Sequence, residues 1–290
     1  MRARFRARRV PDRVRAPPRL RGMARVKAGA AANPAPPTVQ RVRLRFAKRG
    51  RLRFLSHRDV ARSFERAVRR AGVPVSHSHG FSPHPRLSWV GAAPTGAASE
   101  AEYVEMGLTR ELDPAVVCEA MDRALPDGLD VLEAVVAEPP ALAERIDAGR
   151  WRLEVRGVPH ADVEAAVATL LERESVVVIR VTPSGRKEID VRAALVSLSV
   201  DPQVSDDVPD PAAGSPGPAT GCAILTAVVR QTTPTVRPDD VLGALGVVAD
   251  LAPPVPVTAT RLAQGLLDDG GDLVDPLGAV PATRGRPVGS

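Results

Sequence analysis

The sequence predicts an α+β protein whose two halves follow a similar plan. Stretches that alternate apolar and polar residues, typical of strands, are interspersed with stretches that place apolar residues on one helical face. Residues 41–140 read in the order β-α-β-β-β-α-β, and residues 150–263 repeat this plan in element order alone. The 290 residues suffice for two medium-sized domains. The predicted fold is therefore two ferredoxin-like (split βαβ) domains in tandem.

The best-patterned helix follows the first predicted strand, Val42–Phe46, in which apolar and basic residues alternate so that its polar face is positive. Ser56 and Asp59 match the capping box that opens a helix, and Gly72 followed by Pro74 ends it. The rest of the first domain is predicted as strands at 73–78, 86–91, 101–108 and 129–137 and a helix at 113–125 that Asp113 and Pro114 open.

The second predicted domain comprises residues 150–263. Its strands fall at 151–158, 176–181, 187–200, 222–231 and 255–263, its helices at 160–172 and 238–245, and a loop at 201–221. We expect residues 1–40, which are rich in Arg, Ala and Pro, to be disordered and residues 264–290 to form a flexible tail.

The start of the sequence has two interpretations. An arginine-rich, acid-poor beginning is similar to an organellar transit peptide, and it lacks the apolar region of a secretory signal. Alternatively Met23 is the true initiator. N-terminal mass spectrometry of the natively expressed protein distinguishes the two, because a peptide from residues 1–22 excludes initiation at Met23.

Positive charge is concentrated at the beginning of the chain. Residues 1–40 and residues 41–70 each carry a net charge of +10, whereas the whole chain carries +6, so residues 71–290 carry −14. One interpretation is a nucleic-acid partner for the basic part. The other is a solvated basic tail and one basic helix with no partner.

Composition limits the cofactors and the location. The two isolated cysteines, Cys118 and Cys222, cannot supply a four-cysteine zinc site or the three-cysteine cradle of an iron–sulfur cluster. No apolar run approaches the ~20 residues of a membrane span. We therefore expect no cofactor on this chain, no membrane contact, and a reducing, cytoplasmic location.

Residues 54–89 contain four of the five histidines and the densest row of arginines, so the candidate site is placed there. His57, on the first turn of the helix, would clasp a phosphate or carboxylate together with Arg53, Arg58 and His84. Alternatively, His57 only satisfies the backbone at the helix start, and Asp59 acts as a cap and not as a catalyst. The arginines predicted to bind nucleic acid or another anion are Arg43, Arg45, Arg53, Arg58, Arg62 and Arg66.

The segment Gly80–Pro85 is predicted to be a rigid loop, since each proline removes a donor and restricts the residue before it. It would project Phe81, Pro83 and His84 as contact residues. His77, His79 and His84 lie within eight residues, but no nearby acid or cysteine completes a ligand set. We therefore predict no metal site.

Two runs resemble a known family. These are 52–72, LRFLSHRDVARSFERAVRRAG, and 77–108, HSHGFSPHPRLSWVGAAPTGAASEAEYVEMGL. They are similar to the bacterial family of radical SAM-linked proteins of unknown function, the DUF2344 domain. The matching motifs are Phe54-Leu55-Ser56-His57-x-Asp59, Gly80-Phe81-x-Pro83-His84-Pro85, Gly96 with Ser99-Glu100-x-Glu102-Tyr103, and more weakly Glu188–Arg192 and Val236–Asp239. The resemblance spans about residues 41–262. The family has roughly Tyr-Ser-Gln where this chain has His77-Ser78-His79, which leaves His57, Asp59, Phe81 and His84 as the shared cluster.

The resemblance implies an accessory, substrate-binding subunit for a separately encoded radical S-adenosylmethionine (SAM) enzyme, without chemistry of its own. Because relatives are associated with ribosome and RNA-processing genes, it also implies RNA or a ribosomal component as partner. The alternative hypothesis is an autonomous enzyme that uses His57 and His84 as acid–base groups on an anionic substrate.

Overall fold

The α+β class is confirmed by a computed structural model that describes residues 36–182, 185–202 and 221–278. The first half contains β1 (Gln40–Lys48), α1 (His57–Ala71), β2 (Leu87–Val90), β3 (Ala98–Leu108), α2 (Pro114–Ala124) and β4 (Val131–Val136). Short 3-10 helices lie at Gly50–Phe54 and Leu142–Arg145. The predictions for residues 1–35, for the loop between 203 and 220, and for residues 279–290 lie outside the described residues.

The second half contains a similar series of elements with an added hairpin. The elements are β5 (Ala148–Arg156), α3 (His160–Leu171), β6 (Val177–Thr182), β7 (Gly185–Asp190), α4 (Val191–Ala194), β8 (Leu195–Val200), β9 (Cys222–Arg230), α5 (Pro238–Ala249), β10 (Thr258–Leu267) and β11 (Leu273–Val274). The added hairpin, β6–β7, forms a separate two-stranded sheet.

The strands of each half are arranged in the same way. In the first half β1 lies between β4 and β3, and β2 pairs with the other edge of β3. In the second half β5 lies between β10 and β9, and β8 pairs with the other edge of β9. All these pairs are antiparallel. The strand order places β1 and β3 in the middle of the first half, and β5 and β9 in the middle of the second. The ferredoxin-like assignment and the division into two domains stay predictions.

The two halves share one nine-stranded sheet, because β10 also pairs with β3. This pairing is parallel and short, with Thr260 opposite Ala98 and Arg261 opposite Ser99. The long strand β3 therefore pairs with β10 near its start and with β2 further along.

Each half has its own hydrophobic core. In the first, α1 and α2 cover the sheet, and the rings of Phe46 and Phe64 lie 4.7 Å apart between centroids with Trp89 edge-on to both. In the second, α3 and α5 pack on residues such as Leu153 and Leu225, which are fully buried. A third, smaller cluster, in which Leu142, Ile146 and Leu277 pack with Tyr103, involves the outer face of β3.

The local signals at the helix ends are confirmed. The Ser56 hydroxyl accepts a hydrogen bond from the Asp59 backbone N–H at 3.3 Å, and Gly72 ends α1 in the left-handed conformation with φ of 65°. Asp113 caps α2 by accepting from the backbone N–H of Ala115 at 2.9 Å, with Pro114 in the first turn.

Three boundaries differ from the prediction. Residues 73–78 form only isolated bridges, from Val75 to Leu108 on β3 and from His77 to Pro85 in the neighbouring loop. The predicted strand 187–200 is interrupted by α4, where the Asp190 side chain accepts from the Ala193 backbone N–H. The predicted tail from residue 264 does not begin there: β10 continues to Leu267, β11 pairs with it, and Leu277 is buried.

A buried polar cluster lies where β10 meets β3. Arg261 on β10 forms an ion pair with Glu102 on β3 and donates to the Ser99 hydroxyl at 3.3 Å. Lys48, at the end of β1, donates to the carbonyls of Ala93 and Pro94. Lys48, Ser99, Glu102 and Arg261 are each at most 5% exposed, so their polar groups depend on partners within the protein.

We expect Glu102→Gln to lower the free energy of unfolding by about 3–5 kcal/mol, because it leaves the buried Arg261 without its carboxylate and removes a negative charge that attracts Lys48. Chemical denaturation measures this change. Asp272→Asn, which removes the partner of the exposed Arg150, is the matched control and should cost at most about 1 kcal/mol. Equal effects of the two substitutions would contradict a structural role for the buried pair.

Candidate anion-binding surface

Helix α1 presents a continuous row of exposed arginines, here called the arginine face: Arg58, Arg62, Arg66 and Arg69. Its opposite side buries Val60, Phe64, Ala67 and Val68 in the first core. Of the arginine face only Arg62 has an ion-pair partner among the described residues, Asp59 at 3.7 Å, and both side chains are exposed. An exposed pair of this kind contributes little, so the face stays available to an external anion.

The arginines of β1 are placed differently, which corrects the prediction of a free positive strand face. Arg43 is 3% exposed, pairs with Glu105 at 3.1 Å and donates to the Pro140 carbonyl at 2.7 Å. Its guanidinium is therefore committed inside the protein. Glu105 also pairs with Arg41 at 2.9 Å.

Arg45 is similarly neutralised. It lies 3.1 Å from a carboxylate oxygen of Glu133 on β4 and 3.8 Å from Asp275 near the end of the described chain. Glu105 and Glu133 belong to the two strands that flank β1, so the sheet supplies the charges that offset the β1 arginines. Arg43 is thus removed from the predicted anion-binding set, and the charge of Arg45, whose side chain is 33% exposed, is offset by two carboxylates.

A cation and an aromatic ring lie directly before α1. The Arg53 guanidinium stacks over the Phe54 ring, 4.8 Å from its centroid, and the Phe54 residue is 58% exposed. Such a pair holds the arginine in place while leaving part of the aromatic surface in water. Arg53 thus extends the cationic surface to the start of the helix.

The loop between α1 and β2 is a closed turn. Ser78 and His84 exchange hydrogen bonds, from the Ser78 backbone N–H to the His84 carbonyl at 2.9 Å and from the His84 backbone N–H to the Ser78 hydroxyl at 3.0 Å. At its tip Phe81 is 94% exposed, and Pro83 is exposed beside it. The loop therefore presents an aromatic ring to solvent from a pinned base.

His57 and His84 are both exposed but occupy different surroundings. The His57 ring lies edge-on to Trp89, with 5.4 Å between centroids. His84 lines a cavity of about 340 Å³ together with Arg41, Arg86 and Glu105, and His57 is not in its wall. In the described residues no hydrogen bond joins the two histidines.

Asp59 acts in the cap. Its carboxylate accepts a hydrogen bond from the Ser56 hydroxyl at 2.6 Å, and this bond holds the pKa of Asp59 below its ordinary value. The predicted capping box is thus closed through the hydroxyl. Within the part of the chain that the structure describes, no group of three His, Cys, Asp or Glu side chains is arranged to hold a metal ion.

The polar cluster at the β3–β10 join was not predicted from the sequence. Glu102 is 5% exposed, and the Glu105 side chain is 11% exposed. The sequence contained one signal of their burial. Both glutamates interrupt the apolar strand AEYVEMGL, and a charged residue in a buried strand needs a partner. Burial also lowers the pKa of Lys48, against the attraction of Glu102.

The fold and this surface define an α+β protein that carries an exposed cationic helix. A family model described as an uncharacterised protein conserved in bacteria (DUF2344) matches residues 41–238. Because the match covers more than half of the chain, the protein belongs to this family. The family resemblance is thereby confirmed, and its link to a radical SAM enzyme stays a prediction. A search of curated proteins finds no match.

Two further predictions from the sequence concern membrane spans and the cysteines. Among the described residues no helix has both the length and the apolar character needed to cross a membrane; α1, the longest, has 15 residues. Cys118 and Cys222 are both free and half-buried, and burial raises the pKa of the Cys118 thiol. The cytoplasmic location stays a prediction.

We expect Lys48 to make stability depend on alkaline pH. Between its lowered pKa and the ordinary value of 10.5, the unfolded chain binds more protons than the folded chain, so the free energy of unfolding rises with pH. Lys48→Met lacks this proton. Denaturation of both proteins from about pH 8 to about pH 10 should show wild type gaining stability relative to the variant, and a constant difference would count against the buried, shifted lysine.

Proposed function

We propose that this protein is a non-catalytic accessory subunit that binds RNA, through the arginine face of α1, for a separately encoded radical SAM enzyme. The observation that carries the RNA proposal is the contrast between α1 and β1. The arginines of β1 have carboxylate partners within the protein, whereas Arg58, Arg66 and Arg69 have none among the described residues. Exposed cations at helical spacing suit a phosphate backbone.

The neighbouring aromatic residues support RNA over other polyanions. Phe54, stacked with Arg53 at the start of α1, and Phe81, at the tip of the loop before β2, are among the most exposed large apolar side chains. Unpaired bases stack on such rings, and the stacking of a base on an aromatic side chain contributes about 1–3 kcal/mol. A single-stranded or looped RNA would therefore satisfy both the cations and the rings.

The outer face of the first sheet is a less suitable RNA platform. Tyr103, whose side chain faces that side, is 2% exposed because Leu142, Ile146 and Leu277 pack with it. Arg145 holds this cover in place by donating to the carbonyls of Glu138, Pro139, Pro276 and Gly278. Because the chain covers part of its own sheet face, α1 and the two exposed rings are the better binding surface.

The radical SAM partner rests on the resemblance of residues 52–72 and 77–108 to the radical SAM-linked proteins. Two cysteines in the full sequence are too few to hold the iron–sulfur cluster of a radical SAM enzyme. The cluster would then reside on another polypeptide, and this chain would present the substrate.

The double variant Arg62→Glu/Arg66→Glu should weaken binding of a short, fluorescently labelled single-stranded RNA at least about tenfold, since two phosphate contacts become repulsive. The slope of log K against log salt should fall by about 1.4, at about 0.7 per phosphate. Fluorescence anisotropy over a range of salt concentrations measures both quantities. Unchanged affinity would exclude the arginine face as the RNA site.

The matched control for this experiment is Arg123→Glu/Arg173→Glu. Both residues are exposed and lie outside α1, so the control changes the net charge of the protein by the same amount. If contacts with the arginine face determine binding, the control should leave the RNA affinity within about twofold of wild type. An equal loss of RNA affinity in both double variants would show that net charge alone causes the effect, and it would contradict a defined RNA-binding surface on α1.

The accessory role is tested by affinity purification of the tagged protein from its native host, with mass spectrometry of what is retained. We expect a radical SAM enzyme, retained by wild type and by the His57→Ala and His84→Ala variants. If the protein instead turns over an anionic substrate alone, and either histidine substitution abolishes that turnover, the alternative of an autonomous enzyme is correct.

A further inference from the structure

A second concave site lies where the two halves of the protein meet. A cavity of about 270 Å³, partly open to solvent, is lined by the loop after β2, the middle of β5, the end of β9, the segment that opens α5, and β10. Its wall includes Trp151, Arg230, Arg237, Arg261 and Gln264. None of these residues belongs to α1 or to the loop that carries Phe81.

The wall of the cavity is cationic. It contains three arginines and no carboxylate side chain. Arg261 is paired with Glu102, which is not in the wall. Arg230 and Arg237 are exposed and have no ion-pair partner among the described residues, so the cavity holds an excess of positive charge.

Two hydrogen-bond donors at the cavity have no acceptor among the described residues. Arg261 is 5% exposed and uses Nε for Ser99 and Nη2 for Glu102, while its Nη1 has no protein acceptor among the described residues. The same holds for the indole N–H of Trp151, which is 8% exposed. The Arg261 guanidinium lies 5.3 Å from the Trp151 ring centroid, so the two donor groups are held in a fixed relation.

Helix α5 begins at the cavity with Arg237 and Pro238. Asp239 and Asp240 lie in its first turn and offset the positive end of the helix dipole, so the arginines supply the positive charge of the wall. Gly91 has φ of 58°, and a Cβ there would overlap the Gln264 amide oxygen, so glycine allows this close approach of the loop. The volume is below the range of about 300–1,000 Å³ that is typical of drug-sized ligands.

We propose that this cavity binds a phosphate group, either free or as the monoester of a small metabolite, with Arg230 and Arg237 as outer ligands and Arg261 with Trp151 as inner ones. A cavity that is rich in donors and lacks carboxylates matches the acceptor oxygens of a phosphate. The site is separate from the RNA surface and does not depend on it.

Tryptophan fluorescence of the full-length protein tests this. The chain has two tryptophans, so Trp89→Phe leaves Trp151 as the only one, and Trp89 packs on the core of the first half and is not part of the cavity wall. Titration with inorganic phosphate and with adenosine monophosphate should give a saturable change, whereas adenosine should give none. Tighter binding of the monophosphate identifies an ester as the ligand, and equal binding identifies the phosphate group alone.

Arg230→Gln and Arg237→Gln, each in the same background, should weaken phosphate binding at least about tenfold, because each removes a charge-assisted hydrogen bond. Both arginines are exposed, so the variants should keep the wild-type melting temperature. Arg150→Gln, on β5 but outside the cavity wall, is the control and should bind as the parent does. No saturable response to either phosphate compound, or equal affinity in all three variants, would overturn the proposal.

Discussion

The short parallel contact between β10 and β3 determines how the rest of the protein is arranged. Only Thr260 and Arg261 pair with β3, yet this contact turns two four-stranded arrangements into one sheet. It is held by the buried pair of Arg261 with Glu102, beside Lys48. Charges removed from water in this way are tolerated only when each finds its partner, so the cluster specifies one way of joining the halves more than it adds net stability.

The same constraint explains why the arginines of residues 41–70 have different roles. A strand in the middle of a sheet has neighbours on both sides, and those of β1 supply Glu105 and Glu133 to Arg43 and Arg45. A helix on the surface of the sheet has neighbours on its apolar side only. The arginines of α1 therefore face solvent, and the net positive charge of this region is available mainly along one helix.

The sequence was sufficient for features whose causes are local. Helix α1 could be bounded because Ser56 and Gly72 act on backbone groups within a few residues. It was insufficient where a partner is remote: Arg43 is bound by Pro140, and Glu102 by Arg261, 159 positions away. An alternating pattern reports that a side chain points to one side of a strand, and it does not report whether water or a distant residue lies there.

The two cationic sites differ in shape, and shape limits what each can select. The arginine face is open, so it suits a polymer that lays several phosphates along a helix, and electrostatic attraction alone gives it little sequence preference. If RNA binds there as proposed, discrimination among RNAs would fall to the exposed rings of Phe54 and Phe81 or to the proposed partner enzyme. The cavity at Arg261 is concave and small, with a volume of about 270 Å³, so it suits a small anion better than a polymer. Arg261 also lies in the strand pairing that joins the two halves of the shared sheet. A ligand bound there would contact the residues that hold the halves together, and its binding energy would stabilise that contact.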